Sequence, residues 1–90
     1  MDYTARVAPA EDFEDISGLY IDWDQQDECN VGRCAATCYR GRNGDNAVDL
    51  CLWYDEATGL MYSVSTEFYD LDGFDILAAA EEVYVPMPTE

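Results

Sequence analysis

Residues 47–68 read AVDLCLWYDEATGLMYSVSTEF. Val48, Leu50, Leu52 and Tyr54 fall on one face of an extended chain, and Asp49, Cys51 and Trp53 on the other. After DEATG (55–59), Leu60, Tyr62, Val64, Thr66 and Phe68 alternate with Met61, Ser63, Ser65 and Glu67. Period-two alternation marks strands. A short loop ending in glycine between two such runs marks a hairpin. This pair decides the fold class.

Upstream, GRNGDN (41–46) concentrates glycine and asparagine into a turn, and Cys34–Arg40 before it reads as a strand. Residues 25–33 (QQDECNVGR) are polar and glycine-containing and read as a loop. Leu19, Ile21 and Trp23 alternate with Tyr20, Asp22 and Asp24, predicting a strand over 16–24. Pro9 opens PAEDFEDI, suited to a short helical turn, and residues 1–8 form a loose or strand-like lead. Downstream, Asp72 suits an N-cap, with Asp75 three residues on. Ile76, Leu77, Ala80, Val83 and Tyr84 then make a helical stripe over about 73–84, ended by Val85-Pro-Met-Pro. The expectation is one acidic α+β domain over 1–90. It has an antiparallel meander of three to four strands and a C-terminal helix packed on one face.

The charge is lopsided. Ninety residues carry 20 Asp and Glu against 4 arginines, with no histidine, a formal charge of −16. There is no lysine either. These absences remove Schiff-base lysines, histidine bases, histidine metal ligands and Ser-His or Cys-His couples. Direct nucleic-acid binding is not expected, since phosphates need several cations on one face. Arg33, Arg40 and Arg42 lie in residues 33–42, which contain no acid and carry +3; the other eighty residues carry −19. That basic decade could balance nearby acids or meet a second copy, so a monomer or weak homodimer is expected.

The opening MDYTARVAPAEDFED has no basic start followed by an apolar run. A soluble cytoplasmic protein that avoids membranes is therefore expected. The cysteines follow C-x4-C-x3-C-x12-C (Cys29, Cys34, Cys38, Cys51). Core thiols, one disulfide or a zinc site all remain open, because the usual two-residue knuckle is missing. DLDGFD (70–75) fits a calcium loop poorly, since its glycine falls at the fourth position rather than the sixth. No catalytic constellation stands out, and neither an enzyme nor a cofactor or metal is expected.

A solvated face, halophilic composition and a docking surface all compete to explain the acids. The docking reading selects Asp22, Asp24, Asp27, Glu28, Glu67, Asp70, Asp72 and Asp75, with Trp23 and Tyr69 as exposed aromatic anchors. On a strand, Asp22 and Asp24 would project to one side about 7 Å apart, close to the phosphate spacing of a nucleic-acid strand. In size, acidity and compact α+β character the chain resembles small phage- or plasmid-encoded counter-defence proteins, the anti-CRISPR and anti-restriction DNA mimics. That resemblance covers composition alone and carries no motif. It implies an inhibitor in the host bacterial cytoplasm, aimed at a CRISPR effector complex or restriction enzyme. The alternative is an acidic interaction or regulatory module that docks a basic partner without imitating nucleic acid.

Overall fold

The computed structural model describes residues 3–19, 21–32, 34–68 and 75–84. The elements run β1 (Thr4–Pro9), β2 (Trp23–Val31), β3 (Cys34–Asn43), β4 (Asn46–Asp55), β5 (Leu60–Phe68) and α1 (Ile76–Val83). The five strands form one antiparallel sheet in the order β1-β5-β4-β3-β2. With the helix at its C-terminal end the architecture is α+β. The strand count is five, not three to four. Both missed contributions are edge strands, whose residues are mostly exposed and so lack alternation.

The β4–β5 pairing follows the expected register, with Trp53 opposite Tyr62 and Cys51 opposite Val64. The β3–β4 hairpin is tighter than the six-residue turn expected. Asn43 pairs with Asn46 around Gly44 and Asp45. Gly44 has φ +65°, the left-handed backbone that glycine enters without a Cβ penalty and that a type II′ turn needs at its first central position.

Each sheet face has its own cover. On one, Trp53 stacks on Tyr62 at 5.0 Å with planes 3° apart, and Tyr84 meets both rings edge-on at 6.0 and 5.3 Å. Ala79 and Ala80 of α1 close over this group together with Val31, Cys34, Ala36, Cys51 and Val64. Small alanines let the helix backbone approach the rings closely. The Tyr84 hydroxyl donates to the buried Asp55 carboxylate (2.9 Å), while the Cys34 thiol lies 3.5 Å from the same hydroxyl. Burial first, then these two neighbours, hold the Tyr84 phenol above its ordinary range. On the other face Leu50, Leu52 and Met61 pack with Ala10, Ile16, Trp23, Tyr39 and Tyr54.

That second cover comes from residues 10–22, which lead from β1 at one sheet edge to β2 at the other. Its described residues are irregular, without the helical turn expected after Pro9, and of the strand expected over 16–24 only Trp23 and Asp24 are strand. Leu19 and Ile21 belong to a segment lying over the sheet, whereas Trp23, which continues their alternation, is paired within it opposite Gly41. Conversely, most of the expected loop 25–33 is strand, since β2 runs from Trp23 to Val31. The helix begins at Ile76 and is capped by Asp75, whose carboxylate accepts from the Leu77 and Ala78 amides (3.0 and 3.3 Å). Asp72 and the first turn expected from residue 73 lie outside the described residues.

Candidate functional site: an acidic edge and its lead-in segment

Residues 11–28 contain eight carboxylates and no arginine: Glu11, Asp12, Glu14, Asp15, Asp22, Asp24, Asp27 and Glu28. All eight are exposed. The first four sit on the segment crossing the sheet, where local bonds shape the backbone. Asp12 accepts from the Phe13 amide at 2.7 Å, and Asp15 accepts from the Ser17 amide (2.8 Å) and hydroxyl (2.6 Å). The last four line the approach to β2 and β2 itself, which pairs only with β3.

The β2 edge is shaped by a bulge. Trp23 pairs with Gly41 but Gln25 pairs with Arg40, leaving Asp24 as the extra residue. Asp22 precedes the strand. The regular 7 Å ladder expected for Asp22 and Asp24 is therefore absent, and the bulge aims Asp24 independently. Gly41 makes this geometry fit. A Cβ there would sit 2.9 Å from both the Asp22 carbonyl and the Trp23 ring. Trp23 is half-buried, its ring 5.5 Å from that of Tyr39, so it anchors the acidic edge more than it projects from it. Charge on β2 also blocks edge-to-edge strand pairing.

The other selected residues separate. Glu67 is exposed near the end of β5, where it accepts from Asn43 (3.3 Å) and Asn46 (2.8 Å) at the β3–β4 turn. Asp75 is committed to the helix cap. Tyr69, Asp70 and Asp72 lie outside the described residues. The structure thus places Trp23, Asp24, Asp27 and Glu28 along one edge strand just after Asp22, with Asp27 and Glu28 on opposite faces of the sheet, while Glu11, Asp12, Glu14 and Asp15 lie on the lead-in segment. Their sequence proximity was visible as an acidic cluster; that they continue one exposed stretch into an edge strand was not.

Cations do little to neutralise the surface. Fourteen of the sixteen described carboxylates are exposed; the two buried ones are Asp49 and Asp55. Arg40 grips Asp49 with two contacts, Nε to Oδ1 at 2.6 Å and Nη2 to Oδ2 at 2.8 Å. Among the described arginines, Arg40 is thus engaged with a buried acid. Arg42 donates to the Asp45 backbone carbonyl at 3.0 Å. Mutual repulsion among the remaining carboxylates opposes compaction. Raising NaCl from about 0.02 to 0.5 M shrinks the Debye length from roughly 20 to 4 Å. If that screening recovers about 1 kcal/mol, Tm rises by about 4–8 °C. A Tm that stays flat or falls in a calorimetric salt series contradicts this charge balance.

Behind the acidic edge lie three thiols. Cys29 on β2, Cys38 on β3 and Cys51 on β4 place their sulfurs within 4.8 Å of one another, with Cys38 and Cys51 at 3.6 Å. Burial, aided by Cys38, pushes the Cys29 thiol up to about 12. The contact with Cys51, then burial, raises Cys38. Asp27 adds to both shifts. Neutral thiols are poor nucleophiles. At pH 8, iodoacetamide should therefore alkylate Cys29 and Cys38 at least about a hundredfold more slowly in the folded, metal-free protein than in the guanidinium-unfolded chain. Mass spectrometry of quenched time points reads the rates, and near-equal rates would contradict the burial.

Among the described residues no helix is long and apolar enough to cross a membrane. Comparison with protein families, curated proteins and solved structures yields no match to this chain.

Proposed function

We propose that this protein is an inhibitor that presents residues 11–28 as a decoy for a nucleic-acid backbone and occupies the cationic groove of a nucleic-acid-binding protein. The observation that carries this reading is the run of eight exposed carboxylates without an intervening cation, leading into an unpaired sheet edge. A groove lined with arginine and lysine for phosphates offers the same donors to carboxylates. The steep negative field of the free protein would speed encounter with such a groove. Its own surface repels DNA and RNA, so the partner is a protein or a protein complex, and no catalysis is involved. The resemblance to small counter-defence proteins implies a bacterial defence protein as the target, a CRISPR effector complex or a restriction enzyme met in the host cytoplasm.

The test is immobilisation of the full chain, exposure to bacterial lysate at fixed ionic strength, and elution with duplex DNA or single-stranded RNA. Mimicry predicts that bound proteins leave with nucleic acid but not with an equal ionic strength of NaCl. Proteins that remain bound under saturating nucleic acid would instead mark an acidic module docking a basic surface outside any nucleic-acid groove.

A further inference from the structure

We propose that Cys29, Cys38 and Cys51, brought together from three adjacent strands, form a binding site for a thiophilic dication, Zn²⁺ in the cell. Three observations converge on it. The sulfurs already lie within 4.8 Å of one another. Around a tetrahedral zinc with Zn–S bonds of about 2.3 Å, sulfurs stand about 3.8 Å apart. Cys38 and Cys51, at 3.6 Å, therefore need almost no movement. The third sulfur closes in by about 1 Å at most, within reach of a rotamer adjustment on Cys29, which sits on the half-exposed edge strand.

The backbone beneath is fixed. Cys38 and Cys51 are directly opposite in the β3–β4 register, and Asp27 is directly opposite Cys38 across β2–β3. The three ligand atoms thus stand on paired strands, where position is held by the ladder and not by a loop. An entry path also exists. A cleft of about 210 Å³ is lined by Gln25, Asp27, Cys38, Arg40, Asp49 and Ile76 among others. It sets the Asp27 carboxylate beside Cys38, on the side where a fourth ligand belongs.

Charge selects a dication. Three thiolates around a monovalent soft ion leave −2 beside Asp27 and Asp49, in a protein already at −16; around Zn²⁺ they leave −1. Binding ionises three S–H bonds, sends three protons to solvent and forms three metal–sulfur bonds, with no change of oxidation state. The fourth cysteine is excluded by place: Cys34 is buried against Tyr84. Bound metal would staple the acidic β2 edge to β3 and β4.

The experiment titrates the TCEP-reduced full chain with Cd²⁺, whose thiolate charge-transfer absorption distinguishes sulfur ligation from adventitious carboxylate binding. Saturation at one equivalent, displacement of bound Zn²⁺ by the softer Cd²⁺ and a higher Tm with Zn²⁺ are expected. Cys38→Ser and, as a milder edge-strand change, Cys29→Ser should each weaken Cd²⁺ binding at least about a hundredfold, while Cys34→Ser leaves the titration unchanged. Cd²⁺ binding without the charge-transfer band, or no stoichiometric Cd²⁺ binding at all, overturns the site. So does a band that survives in both Cys29→Ser and Cys38→Ser.

Discussion

Trp53→Ala will destabilise the protein by about 3–5 kcal/mol. Trp53 is fully buried, stacked on Tyr62 and edged by Tyr84. It is the largest fully buried side chain among the described residues and lies where β4, β5 and α1 meet. Its removal opens a cavity that rigid strands on both sides cannot collapse into. A domain of this size has only about 5–15 kcal/mol in hand, so the variant will populate unfolded chain at low urea. Trp53→Phe separates the causes. Among the described residues the Trp53 indole N–H is buried with no hydrogen-bond acceptor, so phenylalanine discards a polar group that contributes nothing by bonding. It also keeps a ring to lie on Tyr62. The expected cost is about 1–2 kcal/mol. Urea unfolding at constant m-value measures both variants. A Trp53→Phe loss as large as that of Trp53→Ala would mean that the indole nitrogen has a role this packing does not describe.

Reversing Asp22, Asp24, Asp27 and Glu28 together to lysine will slow association with a nucleic-acid-displaceable partner by about 10–1,000-fold. All four are exposed, so folding should survive. The matched control reverses Asp45, Glu56, Glu81 and Glu82, four exposed acids outside residues 11–28. Both variants change the net charge by the same amount, so non-specific steering is altered equally. What remains is the local difference. The control should lose less than about a tenth as much in association rate, and its dissociation rate should hold, because rim charges act mainly on encounter. Equal losses in stopped-flow binding would place the docking surface elsewhere or spread it over the whole molecule.

The legible parts of the fold share a cause. β4 and β5 carry apolar residues along much of their length because both lie inside the sheet, and β4 is buried on both faces. Gly59 closes their turn with φ +71°, as the glycine in DEATG suggested. β2 escaped because DQQDECN satisfies its backbone on one side only and exposes nearly every side chain. With no face to bury, nothing imposes alternation. The same logic left β1 legible only as a loose or strand-like lead. The segment from Ile16 to Asp22 misled for the opposite reason: apolar residues that lie over a sheet can mimic the spacing of residues within one.

The acidic surface was legible as composition and as clusters, since charge needs no fold to be counted. Which clusters join was not, because that depends on β2 standing at an edge. The thiol cluster was not legible, because a six-residue turn over 41–46 would set Cys38 opposite Asp49. A turn centred between Gly44 and Asp45 sets Cys38 opposite Cys51 by symmetry, whereas Cys29 joins them only once β2 is a strand. Read as spacing alone, four cysteines without a two-residue knuckle carry no such message. Asp75 displaced Asp72 as the recognised cap because either aspartate could precede the apolar stripe, and only backbone geometry distinguishes them.

The most direct measurement is equilibrium competition. A partner eluted by duplex DNA is bound to fluorescently labelled duplex, and this protein is titrated in at constant ionic strength while anisotropy is followed. Occupation of the groove predicts complete release of the label, with an apparent DNA affinity that weakens in proportion to added protein and a ceiling unchanged by excess DNA. A ternary complex, in which label and protein are held together at saturation, would contradict it.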